Sequence, residues 1–418
     1  MQQKIDGLLV PKLRFPEFWD AGEWEEKPLS RVGEIITGNT PSTANLDNYG
    51  GNRLFVSPAD MSYERYIATT KTTLSEQGFQ ETRPIKANSI LFVCIGSTIG
   101  KIAQNKILCA TNQQINSIVP FIEYSNEFIY SALENSASKI TLLAGNHAVP
   151  IINKTLFSSV LVGFPSLPEQ KKIADCLSSI SDRITLEAQK LDTLKAHKKG
   201  LMQQLFPAEG ETLPKLRFPE FQDSGEWEEK LLSEVTTSIF DGTHQTPKYK
   251  DKGIPFFSVE NIVSGKTNKF ISKEDYLIAT NKNKPEKGDI LITRIGNIGF
   301  STVVNWDYEF SIYVTLAVVK SNKKFNAYYL HSFMQSDRYQ KEIQSKSLLN
   351  AVPCKINMDE LRKTKVLLPS SLEQQKIADC LSSLDELIAA QTQAIDTLKT
   401  HKKGLMQQLF PSVEEVKA

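Results

Sequence analysis

The stretch EQKKIADCLSS at Glu169–Ser179 returns as EQQKIADCLSS at Glu373–Ser383, and HKKGLMQQLFP occurs at His197–Pro207 and again at His401–Pro411. Residues 167–207 and 371–411 are identical at 27 of 41 positions. Upstream, LRFPEF occurs at 13–18 and 216–221, each time followed three residues later by GEWEEK. Two inserts of nearly equal length, 28–166 and 231–370, share little identity. Two constant frames holding different inserts predict a pseudo-dimer that recognises two different targets at a fixed separation.

Each repeat predicts a long helix. Apolar residues recur in steps of four and three over about 33 residues, which corresponds to about 50 Å of helix, and Pro207 and Pro411 end the pattern. An antiparallel pair about a pseudo-two-fold axis is the simplest arrangement for two such helices. A long amphipathic helix packed on its own domain is the alternative. The predicted seam consists of Ile173, Leu177, Ile180, Ile184, Leu191, Leu194, Leu201, Leu205, Ile377, Leu381, Leu384, Ile388, Ile395, Leu398, Leu405 and Leu409.

Polar residues interrupt this seam at equivalent points of the two copies, namely Glu187 and Lys198, then Gln391 and Lys402. Buried polar positions in a helix pair can fix its register at some loss of stability. The basic runs LKAHKK and LKTHKK near the helix ends have two open interpretations. They dock a partner, or they are solvated last turns that complement the helix dipole.

The composition is that of a globular protein, with 40% hydrophobic and 23% charged residues and a net charge of +1. No apolar run approaches the roughly 20 residues that span a bilayer, and no secretory signal is evident at the N-terminus. The five cysteines form no CxxC pair, which is typical of reduced thiols. We therefore expect a soluble, cytoplasmic protein with no membrane partner.

The two inserts differ in charge. Residues 28–166 carry 10 Lys and Arg against 9 Asp and Glu, whereas residues 231–370 carry 20 against 14. Near neutrality argues against tight DNA binding driven by charge alone, but it allows a DNA reader whose affinity comes partly from partner subunits.

Short β-rich runs and Gly, Pro and Asn turns fill both inserts, which predicts an α+β fold with two similar β-rich domains. SILFVCIGSTIGK at 89–101 matches DILITRIGNIGF at 289–300, a buried strand that ends in a glycine turn. AVP occurs at 148–150 and at 351–353. One fold therefore occurs twice with different loops, and loops on a constant scaffold usually carry recognition.

These loops contain side chains that can contact base edges. Asn and Gln can pair with adenine and Arg with guanine in the major groove, although such residues in loops often only cap turns. Arg294, just before the second glycine turn, corresponds to Cys94 in the first copy, so the two inserts should prefer different sequences; a surface ion pair is the alternative for Arg294. The predicted DNA-binding residues are Thr40, Ser97, Thr98, Lys101, Asn112, Gln113, Gln114, Asn146, His147, His244, Gln245, Thr246, Lys248, Arg294, Asn297 and Asn350.

Catalytic signatures are absent from the sequence. It contains no GxxxxGK[ST], GxGxxG or HExxH motif and no methyltransferase motif of the NPPF or DPPY kind. Its five histidines lack the spacing of metal ligands. We therefore expect no catalytic residues and no metal site in this chain.

The repeated frame, LRFPEF and GEWEEK before each insert and KIADCLSS to HKKGLMQQLFP after it, closely resembles the specificity subunit of type I restriction–modification systems. The resemblance covers essentially the whole chain. It implies target-recognition domains at 1–166 and 208–370, spacer helices at 167–207 and 371–411, and a tail at 412–418. Cys94 in place of Arg294 departs from any contact that the two domains would share.

In that family each recognition domain reads one half of a bipartite DNA site, and the paired helices set the unread gap. The resemblance therefore implies double-stranded DNA, two methyltransferase subunits and restriction subunits as partners. It also implies that those partners carry out adenine methylation with S-adenosylmethionine and ATP- and Mg²⁺-dependent cleavage, and that this chain holds no cofactor. The rival hypothesis is a non-catalytic coiled-coil scaffold with two protein-binding end domains, which the near-neutral charge favours and the divergent inserts disfavour.

Overall fold

The computed structural model describes residues 9–61, 65–145 and 149–411. The chain divides into two compact units, the first formed by Met1–Gln189 with Gln393–Ala418 and the second by Lys190–Thr392. Both division points fall inside the long repeated helices. Each unit therefore contains one insert, the beginning of one long helix and the end of the other.

In the part of the chain that the structure describes, the first unit contains ten strands and three α-helices besides the long ones. They are β1 (Glu25–Pro28), β2 (Gly33–Thr37), β3 (Tyr49–Val56), β4 (Tyr66–Ile67), β5 (Thr72–Leu74), α1 (Glu76–Gln80), β6 (Ile90–Val93), β7 (Ile102–Asn105), β8 (Ala110–Thr111), β9 (Ile115–Pro120), α2 (Asn126–Leu142), α3 (Lys154–Ser159), β10 (Leu161–Phe164) and the first long helix, α4 (Leu167–Leu205).

The second unit repeats most of this order. Its elements are β11 (Glu228–Leu231), α5 (Leu232–Val235), β12 (Ile239–Asp241), β13 (Ile254–Phe257), α6 (Val259–Ser264), β14 (Phe270–Ile271), α7 (Lys273–Ala279), β15 (Ile290–Thr293), β16 (Ser301–Val303), β17 (Ser311–Ile312), β18 (Leu316–Val319), α8 (Ala327–Met334), α9 (Asp337–Ser345), α10 (Met358–Arg362), β19 (Lys365–Leu368) and the second long helix, α11 (Ser371–Leu409).

Strand pairing is the same in the two units except at one edge of the main sheet. The main sheet has the order β2-β9-β6-β7-β4 in the first unit and β12-β18-β15-β16 in the second. A three-stranded sheet (β5-β3-β8, then β14-β13-β17) and a two-stranded sheet (β1-β10, then β11-β19) accompany it. The central strands β6 and β15 are buried at every residue, which explains their unbroken apolar sequence. The expectation of one β-rich fold occurring twice is confirmed, and β4 is an edge strand for which the second unit has no counterpart.

The long helices pair within each unit in opposite directions. In the first unit, Ile173 and Leu177 at the beginning of α4 share a core with Met406 and Leu409 at the end of α11. In the second unit, Leu205 at the end of α4 shares a core with residues at the beginning of α11. The predicted antiparallel pairing is therefore confirmed. These helix ends also pack on the β-rich part of their own unit, so the alternative interpretation was partly right as well.

The LRFPEF motif of each unit is hydrogen-bonded to the end of one long helix, α11 in the first unit and α4 in the second. Leu13 N–H donates to Gln408 O at 2.9 Å, and Leu216 N–H donates to Gln204 O at 2.9 Å. The tryptophans of the following motif, Trp24 and Trp227, are 3% and 2% exposed. They are core residues.

Candidate nucleic-acid interface

Four loops of the first unit meet at one end of its main sheet. Because β2, β9, β6 and β7 are antiparallel neighbours, the ends of β2 and β6 lie at the same edge as the beginnings of β9 and β7. Loops 38–41, 94–101 and 111–114 extend from this edge. Gly96 N–H donates to Pro150 O at 3.0 Å, which adds loop 149–152 to the group. We call these four loops the first loop cluster.

The second unit has the same arrangement, formed by loops 241–248, 294–300, 313–315 and 354–356. Gly296 N–H donates to Cys354 O at 2.9 Å and Arg294 N–H to Thr315 O at 2.9 Å. The hydroxyl groups of Thr246 and Tyr313 lie 3.1 Å apart. We call these loops the second loop cluster. Residues that are widely separated along the chain thus reach one surface in each unit.

A glycine at the base of each cluster lets two loops approach closely. A Cβ atom on Gly38 would lie 2.2 Å from Thr111 O, and one on Gly242 would lie 2.1 Å from Ile312 O. Both contacts are with backbone, which cannot move aside without breaking strand pairing. The two clusters therefore share a structural requirement for glycine at the end of the first strand of the main sheet.

The predicted residues of the first unit that the structure describes lie in the first loop cluster. Thr40 Oγ1 donates to Gln113 Oε1 at 2.6 Å, and both side chains are exposed. Asn112 Nδ2 donates to Gln114 Oε1 at 3.0 Å, and Gln114 Nε2 in turn donates to Ile95 O at 3.3 Å. Asn112 and Gln114 therefore also shape the cluster, as polar loop residues often do.

Three further predicted residues of the first unit belong to the glycine turn. Ser97 is exposed and Thr98 is half-buried. The Lys101 ammonium donates to Pro58 O and Met61 O at 3.2 and 3.0 Å, so part of its hydrogen-bonding capacity is used internally. Asn146 and His147 lie outside the described residues.

In the second unit, His244, Gln245, Lys248, Asn297 and Asn350 are all exposed. Asn350 lies in the loop that leads to Lys355. An isolated antiparallel β-bridge between Lys355 and Ile295 joins this loop to the glycine turn. The structure thus places these residues on or beside the second loop cluster. Their contact with DNA remains a prediction.

Arg294 has a different environment from the other predicted residues. It is 7% exposed, and its Nη1 donates to Asp241 Oδ2 and to Val314 O, both at 3.0 Å. Its Nε donates to Ile356 O at 3.3 Å. Burial lowers the pKa of Arg294, and Asp241 opposes that shift. The side chain joins three loops of the second cluster in this structure.

The counterpart of Arg294 is neutral. Cys94 is buried, and burial raises the pKa of its thiol to about 12. Thr37 occupies the position equivalent to Asp241 and donates to Asn116 Oδ1 at 2.6 Å. The two clusters therefore differ in charge at their base as well as in their exposed residues.

Asp241 was missed by the sequence reasoning. Its carboxylate contacts both Arg294 and His244, so it positions two of the predicted DNA-binding residues. The available signal was its position, directly before the glycine that ends the first strand of the sheet, where the first copy has Thr37.

The predicted seam residues are buried or half-buried at all sixteen positions, whereas Leu186 and Leu387, outside the seam, are 61% and 53% exposed. The polar interruptions have partners. Lys198 Nζ donates to Asp385 Oδ1 at 2.6 Å, from α4 to α11, and Lys402 Nζ donates to Glu134 Oε2 at 2.7 Å. The Lys198–Asp385 contact restricts which residues of α4 and α11 can lie opposite each other. The Lys402–Glu134 contact joins α11 to α2.

The basic run of the first repeat borders a cleft in the second unit. Lys195, Lys198 and Lys199 line this cleft, of about 720 Å³, together with Arg338 and Lys341. Glu209, Asp337 and Asp385 line it as well. Lys198 pairs with Asp385 and Lys341 with Glu209, so the cleft presents charges of both signs. In the described part of the chain, no group of three or more His, Cys, Asp or Glu could hold a metal ion, and no helix is long and apolar enough to cross a membrane.

Comparison with known proteins gives matches over nearly the whole chain. The family model for the type I restriction modification DNA specificity domain matches twice, at residues 21–196 and 224–400. The specificity subunit of the type I restriction enzyme MjaVIII from Methanocaldococcus jannaschii is 25% identical over 429 residues, which is 97% of this chain and 95% of that one. The HindI specificity subunit from Haemophilus influenzae is 36% identical over 168 residues, covering 39% of this chain and 35% of that one.

The fold has a solved counterpart. The crystal structure of the S subunit of a type I restriction–modification system from M. genitalium superposes with a TM-score of 0.63 at 15% identity, covering 97% of this chain and 100% of that one. At this identity the likeness concerns the fold alone.

Proposed function

This chain belongs to the type I restriction modification DNA specificity family, and from that premise we propose that it selects the DNA sites on which a type I restriction–modification complex acts. Its two domains recognise DNA sequence. The observation that carries the proposal is the pair of loop clusters, which have the same backbone frame and different side chains. A protein that recognised the same DNA sequence twice would not need different side chains in its two loop clusters.

Each loop cluster would read one half of a bipartite site. The first offers hydroxyl and amide groups such as Thr40 and Gln113, whereas the second offers His244, Lys248 and Asn297. Such groups hydrogen-bond base edges in the major groove. Because the second insert is also the more basic, we expect its half-site to contribute more of the salt-dependent affinity.

The paired helices would set the separation of the two half-sites. Each has 39 residues, about 58 Å at 1.5 Å per residue. Half-sites read from one side of B-DNA have centres about 34 Å apart, a distance that a rigid pair of this length can hold. The buried seam and the Lys198–Asp385 contact support a fixed register.

Catalysis would belong to partner chains. Two methyltransferase subunits would dock on the helices and use S-adenosylmethionine to methylate adenine, and restriction subunits would use ATP and Mg²⁺ to cleave DNA. The cleft that Lys195 and Lys199 line offers a concave surface of mixed charge for a partner at that end of the helix pair. This chain would act as a non-catalytic guide in the cytoplasm.

The direct test is to co-express the chain with a methyltransferase encoded beside it, in a host without adenine methylation, and to map N6-methyladenine across the genome. We expect one motif of two short half-sites with a constant gap. Absence of methylation from a complex that is shown to assemble would contradict the proposal and favour a scaffold that binds only protein.

A further inference from the structure

Building on the proposed function, we propose that His244 is a specificity-determining residue of the second loop cluster, and that its Nδ1 atom accepts a hydrogen bond from the exocyclic amino group of a base. That group is N6 of adenine or N4 of cytosine. Asp241 and Arg294 would act as positioning residues that hold the imidazole in the tautomer and orientation required.

The geometry places one carboxylate between two side chains. Asp241 Oδ2 lies 3.0 Å from Arg294 Nη1 and 3.0 Å from His244 Nε2. The side chain of His244 is 73% exposed, whereas the side chains of Arg294 and Asp241 are 9% and 23% exposed. The three residues thus run from the interior of the unit to its surface and end in an exposed imidazole.

Hydrogen-bond chemistry then decides the tautomer. The Asp241 carboxylate, which accepts from Arg294, can only accept hydrogen bonds. Nε2 of His244 must therefore carry the proton that it shares with Asp241. In a neutral imidazole the other nitrogen then has a lone pair and no hydrogen. In this neutral form Nδ1 is an acceptor.

An acceptor at this position selects among bases. In the major groove only adenine and cytosine present an amino group, while guanine and thymine present acceptors at the corresponding positions. A neutral His244 would favour the first two and leave a guanine or thymine acceptor unpaired. It would therefore contribute discrimination at one base pair.

Arg294 makes this arrangement rigid. Its hydrogen bonds to Val314 O and Ile356 O anchor the guanidinium in two other loops of the cluster. The carboxylate of Asp241 is consequently held by a group that is itself fixed. A fixed partner of this kind orients a functional side chain without itself contacting the ligand.

The first loop cluster has no equivalent of the Arg294–Asp241–His244 arrangement. Its equivalent positions are Thr37, Cys94 and Thr40, and the Thr40 hydroxyl donates to Gln113 instead of being held by a carboxylate. Thr40→Ala is therefore a matched control at the same place in the repeated fold. It should change recognition of the first half-site and leave the second half-site unchanged.

The test begins with the mapped site of the wild-type complex. In the same complex, His244→Ala should relax discrimination at one base pair of the second half-site by about two- to tenfold, the usual effect of one hydrogen bond. His244→Asn places an amide oxygen near the position of Nδ1 and should retain part of the discrimination. Asp241→Asn should produce the loss seen with His244→Ala, and the double variant should be no worse than either single one.

A base analogue identifies the contacted atom. Purine in place of adenine, or 2-pyrimidinone in place of cytosine, removes only the amino group. At the contacted position this change should weaken binding two- to tenfold for the wild type and leave the affinity of His244→Ala unchanged.

Several results would overturn the inference. Equal sensitivity of the two proteins to the analogue, or unaltered discrimination in His244→Ala, would show that His244 does not read this group. Loss of discrimination in Asp241→Asn with full discrimination in His244→Ala would assign Asp241 a purely structural role. A wild-type complex that methylates no two-part site would instead contradict the proposed function itself.

Discussion

The guanidinium of Arg217 donates to both carboxylate oxygens of Glu373, with N–O distances of 2.8 Å on each side. The same fork joins Arg14 to Glu169 in the first unit, at 2.8 and 2.7 Å. Each glutamate side chain is 1% exposed. The pair attaches the LRFPEF motif to the first turn of a long helix, which explains why the motif and the helix are repeated together.

Removing the arginine from this pair should destabilise the second unit. Arg217→Ala leaves the buried Glu373 carboxylate without its cation, and breaking a buried pair in this way reduces the free energy of unfolding by about 3 kcal/mol. The double variant Arg217→Met with Glu373→Met should lose less, because no charge remains buried. Urea unfolding of the purified chain measures both.

The control is an exposed ion pair of the same segment. Lys376 contacts Glu220 at 3.1 Å with both side chains about half exposed, so solvent screens the pair and Lys376→Ala should change the free energy of unfolding much less than Arg217→Ala does. Equal losses for Arg217→Ala and Lys376→Ala would contradict the structural role of the fork.

Gly242→Ala should disable recognition by the second unit alone. The new Cβ would meet Ile312 O at 2.1 Å and would separate the two loops that form the base of the cluster. We expect more than a tenfold loss in affinity for the bipartite site, with the residual binding dependent only on the first half-site. Quantitative DNA binding by the assembled complex, with each half-site mutated in turn, measures this.

Two glycine variants serve as controls for that experiment. Gly38→Ala creates the equivalent clash in the first unit and should produce the converse pattern. Gly225→Ala has no atom within 4 Å of its new Cβ and should bind like the wild type. Loss of both half-sites from Gly242→Ala would show that the clusters do not read independently.

Lengthening the helix pair should widen the gap in the recognised site. Seven residues that continue the heptad seam, inserted into the middle of α4 and of α11, add about 10 Å of helix. That length corresponds to about three base pairs. Methylation mapping should then find the same half-sites three base pairs further apart.

The matched control inserts the heptad into α4 only, which puts the two seams out of register. This variant should lose methylation or fail to assemble. An unchanged gap in the doubly lengthened complex would rule out the helix pair as the spacer.

Gly200→Ala should make the isolated chain more stable. Nothing lies within 4 Å of a Cβ at Gly200, and alanine is favoured over glycine inside a helix by about 1 kcal/mol. Thermal unfolding of the free chain should show the gain. If Gly200→Ala also binds the methyltransferase less well, the wild-type glycine is needed because it lets that partner approach the helix closely. A decrease in stability would contradict the open environment of this position.

Acid should weaken the second unit through His331. Its Nδ1 lies 3.0 Å from Ser301 Oγ and its Nε2 accepts from Gln335 at 2.9 Å. Burial lowers the pKa of His331 to about 4, with a smaller contribution from Lys198. The unfolded chain therefore binds a proton between about pH 6.5 and pH 4 that the folded chain excludes, and stability falls as the pH decreases through this range.

At pH 5 this single group should lower the free energy of unfolding by about 2 kcal/mol relative to pH 7. His331→Gln should flatten that part of the profile, whereas His401→Gln, at an exposed position of the second long helix, should leave it unchanged. Identical pH profiles for the wild type and His331→Gln would show that His331 is not responsible.

The repeated frame could be predicted from the sequence because its signals are local. A heptad pattern specifies a helix and its buried face over neighbouring turns, and Pro207 and Pro411 specify its end. The helices end at Leu205 and Leu409, within two residues of those prolines. An unbroken apolar run before a glycine turn likewise indicated β6 and β15.

The loop clusters could be predicted only in part. Exposed polar residues after strands identified Thr40, Gln113 and His244, because each lies directly beside a turn signal. The partner of Arg294 could not be identified in this way. Asp241 lies 53 residues away, and strand pairing between β12, β18 and β15 brings the two side chains together.

Two copies of one fold, two long helices and the buried seam that pairs them follow from local sequence patterns, because periodicity and repetition are visible over short stretches of the chain. Which loops meet, and which side chains remain available, depends on long-range packing. Antiparallel strand order gathers four loops at one sheet edge, and that closeness holds Arg294 inside the cluster while His244 stays exposed. Which polar loop residues face solvent therefore depends on neighbours that lie far away in the sequence.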